Sequence, residues 1–368
     1  MIINMALMST LANIFKRKTD DIIIKDNTFV VWEPCSKSHS EVVPGYVKYL
    51  LDLGYHVSII VHPDRYKEGL FSRFHEKNVS YNKISSVKIK KYFQKSNLSN
   101  IKGLMVTTIG KLCDSINYDE VYSHFAPDVD KSKILMVEHE ASFAADQGSW
   151  RDKNITLREL NYKGIKSVVV NPHYFGDVNI FPKNKITNFI TIGAIAPKRK
   201  NSDMIIKAVE KLHKKGITNF KVTVIGKGHL KGIAKEIKKY FDIKGRLPFD
   251  KMYDEIEKSD FMLTAYDDKN IEHKRYNTSG TSGNFQLVYG FLKPCIIVES
   301  FAPINGFNKE NSITYKTVND YSDALEAAIN LSNEDYQKMQ ASLKKYSDKL
   351  YNSSLENLKT LLPEKGEN

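Results

Sequence analysis

The chain is poor in cysteine. Its 368 residues hold three, Cys35, Cys113 and Cys295, odd in number and far apart. That excludes a disulfide framework and a zinc-type ligand spacing, and it fits a reducing compartment. No run of about 18 apolar residues occurs, so no membrane-spanning helix is expected. There is no Gly-x-x-x-x-Gly-Lys-Ser/Thr loop, no nucleophile elbow and no RNA-binding aromatic signature. The adjacent Asp267-Asp268 pair is too little for a Mg²⁺ site, so neither metal nor cofactor is expected. Met1–Phe15 is apolar with Lys16-Arg17-Lys18 behind it. A secretory signal places its charges ahead of the apolar run. Residues 1–20 therefore read as a loosely docked extension, with a short interfacial helix as the alternative.

The composition is otherwise that of a globular protein, 41% hydrophobic and 27% charged. The length suits two domains. The net charge of +12 is spread evenly: residues 1–187 carry 26 basic and 20 acidic side chains, and the remainder 29 and 23. Such a balance favours anionic ligands or surfaces without pointing to a nucleic-acid patch.

Strand-like and helix-like runs alternate. Strands are expected at Thr28–Trp32, His56–Val61, 103–108, 133–137 and 165–170, and a helix over 40–53 ends at Gly54. The pattern restarts with a strand at 188–193, a helix at 203–212 and a strand at Phe220–Ile225 ending in Gly226-Lys227-Gly228. A helix at 230–240, a strand at 241–244, a helix at 251–257 and a strand at 261–265 follow. Strand Cys295–Val298 and helices at 322–331 and 334–361 complete the series. Short apolar runs of this kind suit parallel sheets buried on both faces, an α/β fold. The expected units are 21–185 and 186–333, with a helical segment 334–368 after them.

The most informative stretch is Thr278-Ser279-Gly280-Thr281-Ser282-Gly283-Asn284, followed by a short helix, Lys293-Pro294 and a buried strand. Small residues let a backbone approach a ligand closely. A helix starting there aims free N–H groups and its positive dipole end at an anion such as a diphosphate. A capped core helix behind a loop is the plainer reading.

Taken in order, Phe189-Ile190-Thr191-Ile192-Gly193 with Arg199-Lys200 and Ile205–Val209, then Phe220–Gly228, then Ile243–Arg246 with 252–265, then the Gly-rich loop and Lys293–Ile297, resemble the nucleotide-sugar domain of GT-B glycosyltransferases. The likeness runs from Ile186 to about Leu331 and points to the retaining, lipopolysaccharide- and capsule-type group. Ser40–Gly45, Gly54-Tyr55-His56-Val57 and Val169–Pro172 resemble that group's first domain more loosely. The resemblance implies two Rossmann-like domains facing across a cleft, with 21–185 on the acceptor side and 186–333 binding the donor. The last helix is expected to return toward the first domain. It implies transfer of a sugar from a UDP- or GDP-sugar to a glycan or lipid-linked acceptor, in bacterial surface polysaccharide synthesis. Arg199 and Lys200 would balance the leaving diphosphate, and His139 would line the cleft. Gly193, Lys227, Arg246, Ser279, Gly280, Thr281, Ser282, Gly283 and Asn284 would bind the donor.

The chain also departs from the group. Many relatives carry two glutamates around the closing loop. Here Ser279 and Leu287 stand at those places, with Gln286 or Asn284 as substitutes for the hydroxyl contacts. A nucleotide-sugar 2-epimerase and a non-catalytic GT-B-like partner are the competing readings. Glu33, ending the first strand, reads as a solvated carboxylate or an acceptor-side base. Lys83, Lys88, Lys90, Lys91 and Lys95, interleaved with Ile84, Val87, Ile89, Tyr92 and Phe93, suit contact with an anionic membrane. The expected placement is cytoplasmic, with room for peripheral contact on the inner face of the plasma membrane.

Overall fold

The computed structural model describes residues 22–36, 38–110, 116–151, 153–193, 201–228, 230 and 232–362. The apolar runs become strands of two parallel sheets. The first sheet holds β1 (Thr28–Trp32), β2 (His56–Val61), β3 (Val79–Lys83), β4 (Gly103–Val106), β5 (Ile134–Glu138), β6 (Ile155–Thr156) and β7 (Val168–Val169), in the order β3-β2-β1-β4-β5-β6-β7. The second holds β8 (Thr187–Ile192), β9 (Phe220–Ile225), β10 (Phe241–Gly245), β11 (Phe261–Leu263), β12 (Cys295–Val298) and β13 (Ser312–Tyr315), in the order β10-β9-β8-β11-β12-β13. In each sheet the strand order reverses at a central strand, and ligands of such sheets bind at the carboxyl ends beside that reversal.

The central strands β1, β2 and β12 are buried at every position. Sheet and helix faces meet in three apolar clusters, two around the first sheet and one around the second. Each fully buried Val, Leu, Ile or Phe contributes about 1.5–3 kcal/mol to folding. The helix Asn333–Lys359 touches both halves. Tyr336 donates to the Asp260 carbonyl (2.9 Å) beside the second sheet. Further along, Ser354 Oγ accepts from Asn171 N–H (2.9 Å), and Leu358 is buried in the core of the first sheet.

One expectation is corrected, and two strands were not expected. Residues 230–240 do not form a helix among those described. They run through turns into a short 3-10 segment, Lys238–Tyr240. Leu230, Ile233, Ala234 and Ile237 do pack on the second core, but Gly232 has φ +78° and breaks any helix there. Edge strands β3 and β13 have polar residues among their apolar ones and are not legible as apolar runs.

Candidate functional site

A cavity of about 660 Å³ lies where the carboxyl ends of the two sheets face each other. From the second sheet it is lined by Gly193, Lys227, Arg246, Thr281, Ser282, Gly283, Asn284 and Leu287. From the first it is lined by His39, Glu41, Arg65, Glu68, His139 and Glu140. Eight of the residues expected from the sequence therefore meet on one wall system. Arg199 and Lys200 lie outside the described residues.

Glycine is required at the floor. Gly193 and Gly226, which follow β8 and β9, have φ +120° and +154°. A Cβ on Gly226 would lie 1.7 Å from the Gly193 carbonyl oxygen, so the two strand ends approach only without side chains.

The Gly-rich loop is bound to the first sheet rather than left open. Ala141 N–H donates to the Ser279 carbonyl (2.8 Å), and Thr281 N–H donates to the His139 carbonyl (3.1 Å). Between them Glu140 and Gly280 form an antiparallel bridge. Arg158, 7% exposed, donates through Nη2 to the Gly280 (2.6 Å) and Tyr276 (2.9 Å) carbonyls. Burial brings its guanidinium down to about 10. Ser279 and Gly280 thus sit behind the cavity wall. The N–H groups of Gly280 and Thr281 are taken by the Arg275 and His139 carbonyls. What faces the cavity is the start of the helix Gly283–Phe291, where Phe285 N–H donates to the Ser282 carbonyl (3.1 Å). The Glu41 carboxylate stands beside it, with Oε1 3.2 Å from where a Gly283 Cβ would be. Burial raises the Glu41 pKa.

His139 follows β5 directly. Its Nε2–H donates to the Thr107 carbonyl (2.9 Å), which leaves Nδ1 as the ring's acceptor. Its ring lies 4.7 Å from that of His39. Burial, and then the neighbouring His39, push its pKa down to about 3, so it is neutral at physiological pH. Arg246 is held by Glu68 (3.1 Å), which also pairs with Arg65 (2.7 Å). Arg275 packs on the Tyr276 ring at 4.6 Å and reaches toward Glu140 at 3.7 Å.

Glu33 differs from its expected solvated state. It is 2% exposed, accepting from Thr107 and Thr108 hydroxyls (2.8 Å each) and from Cys35 N–H (2.6 Å). Burial raises it to about 8. Asp267 and Asp268 turn to Lys269 N–H and the Ser300 hydroxyl. No group of three or more His, Cys, Asp or Glu side chains suited to a metal is gathered among the described residues. Among them, too, no helix is long and apolar enough to cross a membrane.

Nothing in the sequence pattern marks Arg158 or Arg65 as parts of this site. Neither belongs to a motif, and both are brought in by the meeting of the two sheets.

No protein-family model matches the chain, and no curated protein matches it by sequence. Solved structures do. A glycosyltransferase from Rickettsia africae ESF-5 superposes with a TM-score of 0.56 at 13% identity, covering 92% of this chain and 98% of that one. The lipopolysaccharide outer core galactosyltransferase WaaB, in its apo form, gives 0.52 at 13% identity, covering 91% and 98%. With its two parallel β/α sheets and the cleft between their carboxyl ends, the chain has the GT-B glycosyltransferase fold.

Proposed function

We propose that the protein is a glycosyltransferase that moves a sugar from a UDP- or GDP-sugar to a glycan or lipid-linked acceptor, in bacterial surface polysaccharide synthesis. One observation carries this reading. The helix Gly283–Phe291 opens into a cavity whose floor is stripped of side chains at Gly193 and Gly226 and whose opposite wall carries His139. In glycosyl transfer, negative charge grows on the departing diphosphate. Aimed N–H donors and fixed cations lower that barrier. The Gly283 helix start and Lys227 supply this here, and Arg199 and Lys200 are assigned to it from sequence alone. Being neutral, His139 serves as a hydrogen-bonding contact to the sugar through Nδ1, not as a proton donor.

Residues 21–185 are taken as the acceptor-side domain, 186–333 as the donor-side domain and 334–368 as the returning helical segment. The two separate sheets and the contacts of Ser354 and Leu358 support that division. A peripheral membrane contact is assigned to exposed Lys88, Lys90, Lys91 and Lys95 on the helix Ser86–Lys95, beside exposed Val87. Ile84, Ile89 and Phe93 are buried and are not available to lipid, and Lys83 lies over the Tyr66 ring.

A thermal-shift panel of UDP-, GDP-, ADP- and CMP-sugars tests the donor, because ligand binding raises apparent stability by mass action. A rise with a UDP- or GDP-sugar, followed by acceptor-dependent release of the nucleotide, is the expected result. A flat panel would overturn the reading. The alternative of a non-catalytic donor-binding partner is favoured by Leu287, a hydrocarbon on the cavity wall where the resemblance places a glutamate. Donor binding with no turnover on any acceptor would establish it.

A further inference from the structure

A second cavity, of about 430 Å³, opens at the same end of the first sheet. Successive residues of a strand face opposite ways, so Glu138 and His139 serve different cavities. Glu138, 3% exposed, lines this second one together with Tyr118, Phe143, Gln147, Trp150 and Arg151. Tyr118 donates its hydroxyl to Glu138 Oε1 at 3.0 Å. The other oxygen, Oε2, has no hydrogen-bond partner among the described residues. It lies 3.3 Å from the place a Cβ on Gly110 would occupy, so Gly110 keeps the approach to it open.

The lining is mixed in a telling way. Trp150 and Phe143 are half-buried, and the Trp150 indole is fixed by donating to the Lys166 carbonyl (2.8 Å). Arg151 is drawn aside, lying over the Tyr118 and Tyr122 rings at 5.3 and 5.0 Å and within 4.0 Å of Asp119. Burial holds Glu138 up at about 8, which keeps its carboxyl neutral and able to donate at physiological pH. Rigid aromatic surface and one convergent carboxyl, with the Arg151 charge beside that of Asp119, suit a neutral hydroxylated ring. Among the described residues the one cation on the lining, Arg151, is already turned to aromatic rings and Asp119.

We propose that this cavity binds a neutral saccharide ring, with Glu138 hydrogen-bonding a ring hydroxyl and Trp150 flanking the sugar. Its service as the site for an acceptor residue rests on the glycosyltransferase reading; the binding itself does not.

The chain has two tryptophans. Trp32 is sealed in the core at 1% exposure, so Trp150 is a local reporter. The test is a titration of tryptophan emission on the full chain, without nucleotide, using the methyl glycosides of glucose, galactose, mannose and N-acetylglucosamine. At least one should give a saturable change in the millimolar range. Trp150→Phe should abolish the signal. Glu138→Met should weaken binding about tenfold, the loss of one buried hydrogen bond, and Glu138→Gln should retain most of it. Phe143→Ala, on a half-buried side chain, should also weaken binding and guards against a Glu138 variant that does not fold. No saturable change with any glycoside, or a change that survives both Glu138→Met and Phe143→Ala, would overturn the site. A positive titration beside a flat nucleotide-sugar panel would remove the transferase reading and leave this site standing. The converse would remove the site alone.

Discussion

Arg158 Nη2 donates to the Gly280 carbonyl at 2.6 Å, joining residues 122 positions apart in the chain. The same nitrogen reaches the Tyr276 carbonyl, and Nη1 takes that of Glu159. One buried guanidinium thus holds the Gly-rich loop against the first sheet. Arg158→Met leaves these carbonyls without a donor, and each buried unsatisfied group costs about 1–3 kcal/mol. The expected loss is about 2–3 kcal/mol of unfolding free energy in urea, with weaker nucleotide binding. Arg158→Lys should recover only part of it, because an ammonium cannot span the fork. An unchanged midpoint in Arg158→Met would mean the loop is held by its backbone bridge alone.

Gly283 and Gly290, at the start and near the end of the same helix, are expected to behave differently from one another. Neither Gly280 nor Gly283 has a positive φ, so backbone strain is not the issue. A Cβ on Gly283 meets only Glu41 Oε1, at 3.2 Å, whereas one on Gly290 would lie 2.4 Å from the His173 carbonyl oxygen. Gly283→Val should therefore keep its circular dichroism and melting point while losing affinity for UDP or GDP by about tenfold or more, since its branches enter the space a phosphate needs. Gly290→Ala should do the reverse, lowering stability by about 1–3 kcal/mol through overpacking. Calorimetric titration beside thermal melts separates the two. Wild-type affinity in Gly283→Val would return that helix start to a purely structural role.

Burial of Glu33 and His139 sets opposite pH trends. The Glu33 carboxyl keeps its proton to about 8 in the folded chain and loses it near 4.5 when unfolded. The folded state then binds more protons across that window, so this group lowers stability as pH rises from about 4.5 to 8. Histidine 139 is depressed to about 3 against 6.5 unfolded, so its contribution is complete above 6.5 and is lost as pH falls toward 3. Glu33→Gln should raise the urea midpoint at pH 8 relative to the parent and change it less at pH 5. Gln can still accept from Cys35 N–H while the Thr107 and Thr108 hydroxyls rotate. An equal effect at both pH values would show that Glu33 does not titrate in the fold.

How much of this was legible in the sequence depends on where burial is uniform. Strands β1, β2, β9 and β12 have the bounds of their apolar runs because they are central or nearly so, with helices on both faces. At the edges one face is wet, and β3, reading Val-Ser-Tyr-Asn-Lys, has no such run. At 230–240 the helical spacing is present and misleads, because Gly232 turns the chain while its neighbours still pack. The site divides in the same way. Gly193, Lys227 and the 281–284 segment follow strands of one sheet and announce themselves by glycine. Glu41, Glu140 and Arg158 come from the other sheet, and only the meeting of the two makes them neighbours of Gly280 and Gly283.

Two cations on the donor side of the cavity, Lys227 and Arg246, are expected to contribute unequally. The Arg246 guanidinium is engaged by Glu68, which is itself held by Arg65, so part of its charge is already balanced. Lys227 is exposed, follows the tightly packed Gly226 and has no ion pair among the described residues. An anionic diphosphate gains more from the cation that has no carboxylate to leave. Lys227→Ala should weaken UDP or GDP binding about tenfold, and Arg246→Ala only a few-fold. Glu68→Gln should strengthen binding slightly by freeing Arg246. The Lys227 and Arg246 changes lie at the cavity rim and should move the melting point little, whereas Glu68→Gln also weakens the pair with buried Arg65 and should lower it. The ordering is read by calorimetric titration at low and high salt, where the Lys227 effect should shrink as screening grows. If Arg246→Ala proves the more damaging variant, then Glu68 gives way on binding and Arg246, not Lys227, is the cation that meets the diphosphate.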